Sequence, residues 1–205
     1  MIVPKLFNIA LIFCKRYSID ESHAIGHAMN VLHYSHDIMK HEALTKPDIV
    51  KHKNIIYASS ILHDVCDKKY VDETKVWNQV ERTLYENKIL TPKEVDICSQ
   101  IVKTMSYSKV KKNGFPNLGK YQLAYHIVRE ADLLTAYDVD RCMIYNMYNN
   151  SNFIESMYTA EELFEHRVFT HNADGLFVTE YSKQLFRQLE KDCYERFTSW
   201  NDIII

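Results

Sequence analysis

The stretch Asn54-Ile55-Ile56-Tyr57-Ala58-Ser59-Ser60-Ile61-Leu62-His63-Asp64 decides how this chain is read. Its apolar run from 55 to 62 predicts a buried helix, and the run ends on an imidazole and a carboxylate. Left unpaired in a core, such groups cost several kcal/mol, so His63 and Asp64 must be paired, hydrogen-bonded or bound to a cation. Successive helical residues point about 100° apart, which lets the two side chains grip one ion between them. Two ligands alone do not make a site.

Outward from this stretch the chain keeps the same character. Four glycines and four prolines are spread over 205 residues, and the segments between them carry apolar residues at three- and four-residue spacing, the mark of amphipathic helices. The predicted fold class is all-α, a helical bundle. Thr91-Pro92-Lys93-Glu94 reads as a capping box with proline at the first helical position. Thr159-Ala160-Glu161-Glu162 reads as a second, and Thr45-Lys46-Pro47-Asp48 as a weaker relative. With a start at Asp20, these signals predict helices near 4–17, 21–42, 48–63, 73–89, 92–105, 121–148, 160–171 and 176–198. Between Ser106 and Lys120, Asn113-Gly114 and Phe115-Pro116 mark turns, and the segment is expected to be irregular.

Length favours one domain over residues 1–205, large enough to bury about 70% of the surface its unfolded chain would expose. The motif-bearing core is expected at about 20–149, with added helices over 150–205. Twenty-five basic residues against 27 acidic ones give a net charge of -2, which supplies no general field for nucleic acid. Cys14, Cys66, Cys98, Cys142 and Cys193 are odd in number and never at C-x-x-C spacing, so free thiols in a reducing, cytoplasmic setting are expected. The apolar run 2–14 is too short to span a bilayer and reads as a core helix rather than a leader. The Ile203-Ile204-Ile205 tail could dock on the body or on a partner, so an oligomer is compatible with the sequence.

Two further segments place chemistry-bearing side chains among residues expected to be buried. Asp132 lies in Ile127-Val128-Arg129-Glu130-Ala131-Asp132-Leu133-Leu134 and shares a helix face with Val128 and Thr135. A pairing with Arg129, or the cap of a neighbouring helix, is the plain structural reading of that carboxylate. His27 lies one turn from His23 in Ser22-His23-Ala24-Ile25-Gly26-His27-Ala28-Met29-Asn30-Val31, and Gly26 would admit a closely approaching group.

The order His27, His63-Asp64, Asp132 resembles the H…HD…D signature of the HD-domain superfamily of metal-dependent phosphohydrolases. Gly26 to Val31 is similar to the family's first helix, Leu62-His63-Asp64-Val65 to its LHD[IV] centre, and Val128 to Leu134 to the "RDADxL" segment of small bacterial members. The match covers about residues 20–149. Cys66 stands where a glycine is frequent, and Glu130-Ala131 where many relatives have Asp-Ala. His33, His36, His41, His52, His126, His166 and His171 match no ligand position, so one ion rather than two is expected.

The resemblance implies one divalent metal held by His27, His63, Asp64 and Asp132. Mixed nitrogen and oxygen donors suit Mn²⁺ first, with Fe²⁺, Co²⁺, Ni²⁺, Zn²⁺ or Mg²⁺ also accommodated. The implied activity is hydrolysis of a phosphate ester or anhydride of a nucleotide-like substrate by metal-activated water. Asp67 matches the acidic catalytic position of an HDxx[ED] pattern, and it would face the same cleft if the helix continued one turn. Lys69 is the expected phosphate contact, Asp72 a weaker acidic match, and Lys109, Lys111, Lys112 and Lys120 a loop that could clamp phosphate. Alternatives are a guanosine-alarmone pyrophosphohydrolase, weakened by Lys68 after Asp67, and a non-catalytic module binding a nucleotide or protein.

Overall fold

The 54–64 stretch lies at the middle of the molecule, and its surroundings explain why it is apolar on every side. The computed structural model describes residues 1–20, 23–150 and 152–204, with Asn150 described in its backbone only. Glu21 and Ser22, within the expected second helix, and Ile205 of the apolar tail lie outside the described residues. Among those described there is no strand, and the chain forms α1 (Val3–Tyr17), α2 (Ile25–Glu42), α3 (Lys53–Leu62), α4 (Glu73–Glu86), α5 (Pro92–Thr104), α6 (Tyr107–Asn113), α7 (Gln122–Thr135), α8 (Val139–Asn150), α9 (Phe153–Leu163) and α10 (Glu180–Ile204). Short 3₁₀ turns at Pro47–His52 and Gly119–Tyr121 lead into α3 and α7, and a π-helical turn at Phe164–Val168 extends α9.

Helix α3 packs against α1, α2, α5 and α7. Its first half places Ile55, Ile56 and Tyr57 in one apolar cluster with α2, α7 and the C-terminal helices. Its second half places Ala58, Ile61 and Leu62 in another, with α1, α4 and α5. From Ile55 to Leu62 every residue of this helix is buried between the two cores, so the run has no solvent face and no amphipathic stripe. Its two serines are satisfied internally: Ser60 Oγ donates to the Ile56 carbonyl at 2.8 Å and lies 2.7 Å from Ser35 Oγ, while Ser59 Oγ donates to Cys98 Sγ at 3.3 Å.

The ends of several elements follow the local chemistry of the sequence. Thr91 and Glu94 close a full capping box, with Pro92 in the first turn of α5. The run 2–14 forms α1, whose Leu6, Ile9, Ala10 and Phe13 share a buried face. Cys66, Cys98, Cys142 and Cys193 are free, and burial pushes Cys66, Cys98 and Cys193 up to about 12 and Cys142 to about 11, so these four are thiols rather than nucleophilic thiolates at neutral pH. No helix among the described residues is long and apolar enough to cross a membrane.

Elsewhere the structure corrects the expectations. The predicted helix 121–148 is two helices, broken at Ala136–Asp138, where Asp138 accepts the Arg141 amide at 2.9 Å and starts α8 afresh. The expected irregular stretch contains α6, which buries Val110 and ends at Gly114 with φ 72°. Thr159 lies inside α9 rather than at its start, because Asn152 caps earlier by accepting the Glu155 amide at 3.1 Å. Thr45 caps nothing; its hydroxyl turns back to the Glu42 carbonyl. Among the described residues a Cβ on Gly26 would meet nothing within 4 Å, so the expected close approach is not found there.

The C-terminal segment is tied to the body through a buried carboxylate. Glu130, on α7, accepts the Thr179 hydroxyl at 2.6 Å, the Thr179 amide at 3.1 Å and the Val178 amide at 2.9 Å, and pairs with Arg129 at 3.2 Å. Arg129 also donates to the Leu176 carbonyl. Helix α10 then lays Phe186, Cys193 and Phe197 into the cluster that holds α2 and α7. Truncating Glu130 to Ala leaves the 178–179 amides without their side-chain acceptor and Arg129 without its ion pair, and is expected to lower unfolding free energy by about 3–5 kcal/mol. Denaturant melts check this; a loss under about 1 kcal/mol contradicts the assigned role.

Candidate metal centre

Three helix ends meet at one point. The C-terminal end of α3 delivers His63 and Asp64, the first turn of α2 delivers His27, and the last turn of α7 delivers Asp132. Helix C-termini carry partial negative charge, so the ends of α3 and α7 favour a cation between them. His27 and His63 are 4% and 8% exposed, and each element keeps its side chain fixed by burying the residues around it.

His27, His63 and Asp64 each offer a ligand atom, all within 4.8 Å of one another. His27 Nε2 lies 3.1 Å from His63 Nε2 and 3.3 Å from Asp64 Oδ2, and His63 Nε2 lies 3.3 Å from Asp64 Oδ1. Asp132 joins through the imidazoles, its Oδ1 3.3 Å from His27 Nε2 and 3.5 Å from His63 Nε2. Two donors each about 2.1 Å from one ion stand about 3.0 Å apart at a right angle and about 3.4 Å apart at the tetrahedral angle. The spacing thus matches a shared cation. The plain structural reading of Asp132 gives way, since Arg129 pairs with Glu130 instead.

The groups behind the donors bear on the same question. His63 Nδ1 donates to the Ser60 carbonyl at 2.9 Å, which leaves the Nε2 lone pair of the neutral ring directed at the cluster. His27 Nδ1 meets Arg141 Nη1 at 2.7 Å and Thr135 Oγ1 at 3.4 Å. A guanidinium only donates, so the Arg141 contact puts the His27 proton on Nε2. Ligation through Nε2 needs that proton on Nδ1, where Thr135 can accept it, and so requires Arg141 to turn away.

Opposite charges meet at the cluster. Burial disfavours the His63 imidazolium, yet the Asp64 and Asp132 carboxylates outweigh it and raise its pKa well above the ordinary histidine range. Burial likewise works against both carboxylates, but the two imidazoles hold Asp64 and Asp132 well below the usual range. Nearby His23 is lowered by burial and by Lys69.

Around the cluster opens a cleft of about 500 Å³. Asp67 and Lys69 both line it, though not by the expected route. The helix stops at Leu62, and 63–66 form a turn; Asp67 Oδ1 accepts the Lys69 amide at 2.8 Å. Lys69 Nζ donates to His23 Nε2 at 3.2 Å and sits 5.2 Å from the Tyr145 ring centre. Asp72 is instead the N-cap of α4, accepting the Lys75 amide at 3.0 Å. Of the loop lysines, Lys109 reaches the cleft but pairs with Glu73 at 2.6 Å, Lys111 pairs with Asp174 at 2.8 Å, and Lys120 lies over Tyr121. They form no clamp at the cluster.

Arg141, Tyr145, Arg167 and His171, which match no ligand or catalytic position in the sequence, also line the cleft. Arg141 and Tyr145 stand one turn apart on α8, a signal hidden while α7 and α8 were read as one helix. No family model, curated protein or solved structure matches the chain.

A cation must displace the proton that His63 holds, so its effect depends on pH. The raised His63 contributes stability that is full below about pH 6.5 and is lost as pH rises through its folded-state value; the depressed aspartates contribute above about pH 4. Chelator-treated protein is therefore expected to be most stable between about pH 4 and 6.5. Added Mn²⁺ should raise the unfolding midpoint more at pH 8 than at pH 5.5, as read by thermal melts. A shift independent of pH contradicts direct ligation by His63.

Proposed function

We propose that this chain is a metal-dependent phosphohydrolase in which His27, His63, Asp64 and Asp132 hold one divalent ion, Mn²⁺ by preference. The convergence of two imidazole nitrogens with two carboxylates, each carboxylate within 3.5 Å of both imidazoles, beside a cleft, carries the reading. The same four residues, in order, carry the resemblance to HD-domain phosphohydrolases. Their donor set is hard to intermediate rather than thiol-rich, which fits ions that also bind phosphate oxygen. When bound, the ion acts as a Lewis acid on a phosphoryl oxygen and acidifies water.

The remaining steps fall to the protein. Lys69 and Arg141 supply positive charge along the cleft, where a phosphoryl group would carry negative charge. Arg141 is held by the Thr135 carbonyl at 3.2 Å and by His27; in this proposal it exchanges the His27 contact for the phosphoryl group. Asp67, held by the Lys69 amide, orients the attacking water or accepts its proton. The His23, Tyr70 and Asp20 chain fixes the wall beside Lys69, with Tyr70 donating to Asp20 and lying 3.2 Å from His23 Nδ1. The substrate class is a small phosphorylated compound, a nucleotide in the first instance.

A release assay with Mn²⁺ over nucleoside mono-, di- and triphosphates tests the proposal. Asp64→Ala is expected to lose the bound ion and to cut turnover by at least about 10²-fold. Asp67→Asn should keep the ion and lower kcat by about 10²-fold or more. Phosphate or pyrophosphate release unchanged in Asp64→Ala contradicts the proposed role of the cluster.

A further inference from the structure

The cations that line the cleft differ in what already occupies them. Lys109 is neutralised by Glu73 at 2.6 Å. Lys69 donates to His23 and rests against the Tyr145 ring, and Arg141 is held by the Thr135 carbonyl and His27. Arg167 is exposed, and among the described residues its guanidinium makes no ion pair. What holds it is the Tyr107 ring, whose centre lies 4.5 Å away. A guanidinium laid on a ring uses its face and keeps the N–H donors at its edge for other partners, in a planar fork that fits two phosphate oxygens at once.

The local backbone puts that fork in the cleft. Arg167 belongs to the π-helical turn Phe164–Val168, a form that recurs at functional sites. Within this turn Phe164 and Val168 are buried, Glu165 and His166 are exposed outside the cleft lining, and Arg167 is exposed within it. Helix α8 contributes Arg141 and Cys142 to the same cleft. Burial pushes the Cys142 thiol up to about 11, and Arg141 and Arg167 both pull against it while Asp138 adds to it. The charge of both arginines therefore reaches one point of the α8 wall. A phosphate monoester carries about −1.5 to −2 charges at pH 7, which Lys69 and Arg141 match between them. Arg167 is then a further cation without an anion, in a cleft of about 500 Å³ with room for a second group.

We infer that Arg167, laid on Tyr107, forms a second anion subsite in the cleft, so that the substrate carries two phosphate groups, one at the metal centre with Lys69 and Arg141 and the other on the edge of the Arg167 guanidinium. This rests on the phosphohydrolase reading for the placement of the first phosphate. It narrows the substrate from a small phosphorylated compound to one with two phosphates, either joined as an anhydride or carried apart as a bisphosphate. Arg167 holds the phosphate that is not cleaved and takes no part in bond cleavage.

Titration calorimetry on whole protein, with Mn²⁺ in excess and without it, tests this through binding alone. One pair of probes lacks any base and resists hydrolysis: methylphosphonate and methylenediphosphonate. The others are AMP, α,β-methylene ADP and adenosine 3′,5′-bisphosphate. At least one two-phosphate compound is expected to bind about tenfold or more tightly than its one-phosphate counterpart, the effect of a hydrogen bond between charged groups. Arg167→Gln should reduce that gain to within about twofold, while leaving the one-phosphate compounds, the bound-metal stoichiometry and the unfolding midpoint unchanged. A gain with the methylene-bridged compounds assigns an anhydride, and a gain with the 3′,5′-bisphosphate assigns separated phosphates. Equal binding of one- and two-phosphate compounds overturns the inference, as does a gain that survives Arg167→Gln or a variant that weakens AMP just as much. Arg167-dependent selectivity for two phosphates, without hydrolysis of any phosphate ester or anhydride, would retain this subsite and refute the hydrolase reading. Hydrolysis of monophosphates with no gain from a second phosphate would do the reverse.

Discussion

Two carboxylates and two imidazoles gathered at the ends of buried helices are the constraint about which this bundle is arranged. Each would be better solvated in water, and burying any one alone would cost several kcal/mol. Together they compensate one another: imidazolium charge on His63 holds Asp64 and Asp132 ionised, and those carboxylates hold the proton on His63. A divalent cation does the same more completely. The apolar sides of α3 serve this arrangement, since a helix packed into two cores cannot shift its end without disturbing both.

The supports reach outward from there. Ser60 fixes the tautomer of His63, Thr135 stands ready to fix that of His27, and the break between α7 and α8 brings Arg141 and Tyr145 round to the cleft. A single straight helix over 121–148 would have carried α8 away from the cluster. The buried Glu130 links α7 to the start of α10, and so couples the element carrying Asp132 to the C-terminal segment.

How much of this could be read from sequence varied with the range of the interaction responsible. The His63-Asp64 pair announced itself because its neighbours are apolar without interruption, and the Thr91 box because all its partners lie within four residues. The helix ends at Asp138 and Asn152 depend on which of several capping residues wins, and tertiary packing decides that. Asp67 was expected on a continued helix; the turn at 63–66 brings it to the cleft by another path. His171 carried no local signal, because its neighbours Tyr107, Tyr137 and Phe177 come from three separate segments and its unpaired nitrogens exist only once the chain is folded.

In the proposed metal centre one ion is shared by His27, His63, Asp64 and Asp132. Anomalous diffraction at the manganese edge, from crystals grown with Mn²⁺, tests it most directly. One dominant peak is expected within bonding distance of both Nε2 atoms and of an oxygen from each carboxylate, with Arg141 turned from His27 Nδ1. A peak elsewhere on the protein, or an ion bound without the two imidazoles, would contradict it.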